Sequence, residues 1–451
     1  MSLNEKSQST PVKRKGLNRW ELFFLAIGNV IGAGVFSTLG YAVGLAGKST
    51  WVAYFAACVV GFISILPFYI VGKVARVEGG VYSMTAGLLG QRWGGMIMYA
   101  YIPNSFTISL FALGVGSYAR ALFGWNHQVV SIIVLTIFFL INLLPPKNMV
   151  RLQTILTTTL ILSLFMFGIV GTVRNNGAPF DFAAADYFLN GSKGFIGAVV
   201  MLCFSTTNYY MVINFSAVAE KPKKDMPFAM ILSAISITIL YCLAAIADTG
   251  VLPIETVANQ PLSTAASQLL PYPLFLLFVV GGAVFALATT LNAVFGSFSY
   301  VYMQGVRDGW FPKSISKINR YGHPWILLTF SYIVALLPIL LNFDIGIVVN
   351  NIILLNWLSG LIPKIAVYML PKKYPELCAT NKLIGNKALF NVLMTISLIF
   401  SIAICVLSTT DLTLEMVLTS TGALAITLIL AFVRDKGGHV HMEKSFKITD
   451  E

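Results

Sequence analysis

Charge is scarce in this sequence. Only 11% of its 451 residues are Asp, Glu, Lys or Arg, while 57% are hydrophobic. A water-soluble domain carries about a quarter charged residues, so a soluble enzyme or scaffold is excluded. Cysteine is scarce as well. Cys58, Cys203, Cys242, Cys378 and Cys405 stand far apart, and four of them fall inside apolar stretches. They read as small buried hydrophobes, and neither a metal knuckle nor a disulfide framework is implied. The histidines, His127, His323, His439 and His441, lie in loops or tails. They make no nucleophile–base pair or metal cluster, which disfavours a membrane enzyme, and no cofactor or metal is expected. No filter motif or ring of charge suggests a channel. A receptor would normally have fewer spans and longer recognition domains.

Long apolar stretches are abundant. A bilayer core about 30 Å thick is crossed by about 20 mainly apolar helical residues. Twelve such spans are expected, near 20–44, 51–72, 94–121, 129–145, 152–172, 194–216, 228–251, 272–303, 324–342, 345–370, 389–409 and 412–433. Pro145, Pro146, Pro222, Pro227, Pro312 and Pro324 punctuate the loops. The apolar run after residue 19 is too long for a signal-peptide core and lacks a cleavage site, so it reads as an uncleaved first span. The expected organisation is a tail at 1–19, a twelve-span domain at 20–435 and a tail at 436–451.

The net charge is +12. Nucleic acid is not the expected partner, because basic residues collect in cytoplasmic loops during membrane insertion. With the N-terminus inside, Lys48, Arg120, Arg174 and Lys193 are the outer exceptions. Lys13 to Lys15, Lys221 to Lys224, Arg307 to Arg320 and Lys364 to Lys387 all fall at the inner side. An even number of spans then places both termini in the cytoplasm, with the chain in the cell membrane. The outer loops near 173–193 and 252–271 are the candidate extracellular caps.

Span 1 contains Gly28-Asn29-Val30-Ile31-Gly32-Ala33-Gly34. Three mid-span glycines weaken a helix, and a broken helix at membrane depth is tolerated where it faces a cavity or packed protein. Freed N–H groups at such a break suit a carboxylate. Tight helix packing through Gly28 and Gly32 is an equal reading. Span 6 contains Phe204-Ser205-Thr206-Thr207-Asn208-Tyr209-Tyr210, a polar run that an unbroken helix would partly turn to lipid. Hydroxyls bonding back to their own helix are the competing account there. Asn104, Ser105 and Thr107 in span 3 and Thr289, Thr290 and Asn292 in span 8 either line a pathway or hold helices together. Glu21, Asp248, Asp344 and Glu415 sit near span ends. No acid or base is expected at the midplane of spans 1, 3, 6 or 8, which argues against a strongly cationic cargo.

These features resemble the amino acid–polyamine–organocation superfamily. The span 1 run is similar to its glycine-rich signature. Val77-Glu78-Gly79-Gly80-Val81-Tyr82 resembles the motif before span 3. Ala219-Glu220-Lys221-Pro222-Lys223-Lys224-Asp225-Met226-Pro227 and Arg307-Asp308-Gly309-Trp310-Phe311-Pro312 resemble the loops after spans 6 and 8. The resemblance covers about residues 17 to 435. It implies an all-α membrane protein with twelve transmembrane helices and two inverted five-span repeats, a leucine-transporter-type fold. The repeats would occupy about 20–172 and 194–370, followed by spans 11 and 12 at 389–433. Spans 1 and 6 would be broken around a substrate carried by alternating access. The implied cargo is an amino acid or closely related amine.

Substrate-binding positions implied by the resemblance are Ile31 and, with N–H groups that hold the α-carboxylate, Gly32, Ala33 and Gly34. Carbonyls of Phe204, Ser205 and Thr207 hold the α-amine, with Phe204 also an aromatic gate. Asn208, Asn104 and Thr107 complete the set. Two departures matter. Arginine-type exchangers carry an acid close to where this chain has Tyr210. Several proton-coupled or exchanging relatives carry a span 5 lysine, which falls near Leu160 in a span without lysine. Despite that second departure, the expected mode is exchange or proton-linked permeation. A sodium-coupled symporter using Thr289 and Thr290 is the alternative. The sequence leaves the oligomeric state open.

Overall fold

A computed structural model describes residues 16–175, 177–343, 345–379, 382–407, 413–442 and 446–447. Lys13 to Lys15, Asp344 and the ends of both tails lie outside the described residues. The apolar stretches form helices, because a helix satisfies its own backbone where lipid offers no partner. In chain order these are α1 (Arg19–Val30), α2 (Ala33–Ala46), α3 (Thr50–Val74), α4 (Gly80–Leu89) and α5 (Gln91–Asn104). Next come α6 (Phe106–Phe123), α7 (His127–Leu143), α8 (Pro146–Val173), α9 (Gly191–Cys203) and α10 (Pro222–Val251). After two short helices follows α11 (Tyr272–Arg307), which includes a π-helical stretch at Phe278–Val284. The remaining long helices are α12 (Trp325–Leu340), α13 (Ile345–Ala366), α14 (Lys387–Leu407) and α15 (Leu414–Lys436), with three short α-helices between α13 and α14 among the described residues.

Ten segments among the described residues are long and apolar enough to cross a membrane. The fourth and ninth expected spans correspond to the shorter apolar helices α7 and α12. Outward-facing side chains are apolar too: Ile133, Leu162, Ile235, Ile399 and Ile429 are each about half exposed or more. An apolar exterior of this extent suits lipid and not water.

The helix starts follow local rules. Asn18 caps α1 by accepting the Trp20 and Glu21 N–H groups, and Glu21 returns the bond to the Asn18 N–H at 2.9 Å. Before α4, Gly79 and Gly80 both have positive φ, 87° and 60°. The Asn214 amide sits where a Gly80 side chain would be. Its oxygen accepts the Val81 N–H at 3.0 Å, and its nitrogen donates to Tyr101 and Ser297. The Gly-Gly pair is thus both a turn and a seat for Asn214.

The first and last described segments meet on one face of the bundle. Leu17 bridges to Ala219, and Arg76–Val77 pairs antiparallel with Phe446–Lys447. On the same face Tyr82 donates to the Asp308 carboxylate at 2.7 Å across 226 residues of sequence. Trp310 Nε1 donates to the Tyr82 hydroxyl, and Gln304 donates to the other Asp308 oxygen at 2.9 Å. Arg434 donates to the Gly309 and Phe311 carbonyls. Two separate sequence motifs are therefore halves of one buried network. Burial pushes the Asp308 carboxyl up to about 6, against the lowering effect of Tyr82 and Gln304.

Two outcomes are expected. Gly80→Ala combines left-handed strain, about 1 kcal/mol or more, with a collision at Asn214. Gly124→Ala meets the same kind of strain (φ 69°) but open space. Thermal unfolding in detergent should show a clearly larger loss for Gly80→Ala, and equal losses would remove the seat. A carboxyl with a raised folded pKa contributes stability below its ordinary value near 4. That contribution is lost as pH rises through about 6. Wild type should therefore lose stability relative to Asp308→Asn between roughly pH 4.5 and 7. A constant gap would refute this.

Candidate functional site

Helix α1 stops at Val30, and α2 begins at Ala33. Between them Ile31 (φ −80°, ψ 79°) and Gly32 (φ −113°, ψ −135°) leave the helical region. The Gly32 N–H turns back onto the Val30 carbonyl at 2.9 Å. No side chain caps α2, so its first-turn N–H groups, which lack intrahelical partners, stay available. A second interruption follows α9, where the chain turns through Phe204–Thr207 and resumes as a 3-10 helix at Asn208–Val218. The polar run noted in span 6 lies in this turn and the start of the 3-10 helix.

The two interruptions touch. A side chain at Gly34 would collide with Ser205. Asn29 Nδ2 donates to the Asn208 carbonyl at 3.2 Å. The Tyr241 hydroxyl on α10 lies 3.4 Å from the Val30 carbonyl and 3.3 Å from the Ser205 carbonyl, close enough to donate to either. On the opposite side Thr290 on α11 donates to the Gly28 carbonyl at 2.9 Å. A Cβ at Gly32 would stand 2.6 Å from its Oγ1, and one at Gly28 would strike Gln153. For Gly28 and Gly32, packing and chain interruption are therefore not rival accounts; both hold.

A cavity of about 130 Å³ opens beside the interruptions. Phe204, Thr207, Asn208, Asn104, Thr107 and Thr290 all line it. The Asn104 Oδ1 and Thr107 Oγ1 atoms are buried without a hydrogen-bond partner, so they are open to a ligand. Ile31, Gly32, Gly34, Ser205 and Thr289 do not line it. Ile31 is fully buried, Ser205 bonds back to the Leu202 carbonyl at 2.8 Å, and Thr289 bonds back to the Ala286 carbonyl at 2.8 Å. Leu160 is buried against the core.

Several lining residues escaped the sequence reading. Asn29, flanking Gly28, connects the two interruptions and also lines the cavity. Asn356, Trp357 and Lys364 come from α13. Lys364 requires a correction. Grouped by charge with Lys372, Lys373 and Lys387, it reads as an interfacial residue, yet it is 6% exposed and faces the cavity. The missed signal is its setting, Leu361-Ile362-Pro363-Lys364-Ile365-Ala366. An amphipathic interface would have alternated polar residues with these apolar ones.

Curated proteins from several organisms are similar to this chain. The branched-chain amino acid permease of Bacillus subtilis is 24% identical, over 81% of this chain and 82% of its own length. The serine/threonine exchanger of the same organism is 24% identical, over 70% of this chain and 75% of its own. The vacuolar cationic amino acid transporter 8 of Arabidopsis thaliana is 25% identical, over 58% of this chain but 48% of its own length. The family model described as amino acid permease matches residues 17–432. With that match over nearly its whole length and its many apolar helices, the chain is a multi-pass membrane protein and belongs to the amino acid permease family.

Proposed function

We propose that this protein carries amino acids or closely related amines across the cell membrane by alternating access, as an exchanger or proton-linked permease. The reading includes twelve spans, inverted repeats over about 20–172 and 194–370, and both termini in the cytoplasm. The observation that carries it is the contact of two helix interruptions beside one cavity. Half-helix N-termini suit a carboxylate, and unwound carbonyls suit a cation. A zwitterionic amino acid offers both groups.

The assignment gives each residue a task. N–H groups of Gly32, Ala33 and Gly34 hold the α-carboxylate. Carbonyls of Phe204, Ser205 and Thr207 receive the α-ammonium. Asn104, Thr107 and Asn208 face the rest of the cargo, and the Phe204 ring screens it from the passage. Relatives named as a permease and an exchanger support amino acid cargo. The hydroxyls of Thr289 and Thr290 are both engaged with backbone carbonyls, which leaves their oxygens as the only contribution to a sodium site.

Flux in proteoliposomes tests the reading. Radiolabelled amino acid should enter vesicles preloaded with amino acid, or empty vesicles under a proton gradient. Uptake that instead requires a sodium gradient would overturn the coupling mode and promote Thr289 and Thr290. The substitution Ala33→Pro removes one N–H from the first turn of α2, a position where proline is sterically accepted. It should raise KM roughly tenfold or more, the worth of a hydrogen bond to a charged group, with membrane insertion intact. Unchanged uptake would remove the carboxylate assignment.

A further inference from the structure

Among the described residues that line the cavity, Lys364 alone carries a charge. Its Nζ donates to Ser401 Oγ at 2.8 Å and lies 5.6 Å from the centre of the Trp357 ring. An ammonium has three N–H donors, and Ser401 takes one. Among the described residues, no Asp or Glu lines the cavity.

The surrounding helices supply no counter-charge either. Helices α3, α4, α5, α6, α14 and α15 pack against α13. Within their described residues, the acids are Glu415 and Asp435, both on α15. Glu415 is exposed in its first turn. Asp435 is occupied by Arg92 and Gln91. A buried ammonium is strongly disfavoured without an anion beside it. This one faces the space that cargo enters.

The zwitterionic part of an amino acid does not answer this charge. Its carboxylate and ammonium are matched by the two interruptions in the reading above, on which this inference rests. We propose that Lys364 is the counter-charge for a second carboxylate, and that the cargo class includes acidic amino acids. In the same cavity Thr107 Oγ1 lacks a partner and can donate to that carboxylate, while Asn104 Oδ1, an acceptor, is open to an N–H of the cargo's ammonium. Lysine suits this task because its long stem carries a point charge with rotatable donors into a polar pocket.

The test compares isosteres. Full-length protein in proteoliposomes exchanges a radiolabelled neutral amino acid while unlabelled glutamate or glutamine competes. Wild type should prefer glutamate over glutamine. Lys364→Met should lower the glutamate-to-glutamine affinity ratio at least tenfold, and Lys364→Arg should restore most of it. That rescue separates a charge effect from misfolding. Glutamate that fails to compete in wild type, or an unchanged ratio in Lys364→Met, overturns the proposal while leaving neutral amino acid transport standing. Chloride-stimulated uptake that vanishes in Lys364→Met, without glutamate competition, also overturns it, in favour of an inorganic anion. Absence of both exchange and proton-driven uptake for every amino acid removes the transport reading and this inference with it.

Discussion

At Ile31–Gly32 and at Phe204–Thr207 the helical hydrogen-bond ladder stops within apolar segments. A buried backbone group left unpaired costs about 1–3 kcal/mol, so each interruption needs outside partners. Tyr241, Asn29 and Thr290 provide them from α10, α1 and α11. Much of the interior arrangement follows from that demand. The glycines let the two interruptions approach each other, and the polar side chains around them are the ones that the bundle otherwise has no use for. What the surrounding side chains leave unmet is a short stretch of backbone beside a cavity, which is chemistry suited to a small zwitterion.

A second polar network holds the terminal face. Tyr82, Asp308, Gln304 and Trp310 join the start of α4 to the loop after α11, and Arg434 adds the end of α15. The Lys48–Asp186 ion pair at 2.8 Å holds the chain after α2 to the segment before α9. These contacts are made at helix ends, where side chains of charged residues are least penalised. Around the cavity the described polar residues are amides, hydroxyls and carbonyls, with Lys364 the exception. Among the described residues that line the cavity, Lys364 is the one that bears a charged group, which is why the proposed selectivity turns on the cargo's charge.

Much of the fold was legible because hydropathy and length act locally. The expected spans fall on described helices, ten segments being long and apolar enough to cross a membrane and α7 and α12 being shorter, since each apolar run must satisfy its own backbone. The two interruptions were legible for the same reason: glycines in span 1 and the run from Ser205 to Tyr210 are poor helix in lipid. Partnership was not legible. Nothing local marks Asn29 as the donor to Asn208, Tyr241 as the hydroxyl lying between both interruptions, or Asn214 as the residue that Gly80 must accommodate. These pairs are separated by tens to hundreds of residues, and only packing brings them together.

Lys364 shows the limit most clearly. Its charge placed it with the basic residues of an aqueous face, because a lysine near a span end usually snorkels outward. Its actual direction depends on how α13 is rotated against α6, α14 and α15, which no single helix encodes. By itself, then, the sequence determined the helical class, the presence of many apolar segments, the places where helices fail and the family motifs, all consequences of local backbone and transfer energetics. The tertiary structure alone decided which freed groups meet, which polar side chains face the cavity and where Lys364 points, because those depend on contacts between segments far apart in the chain.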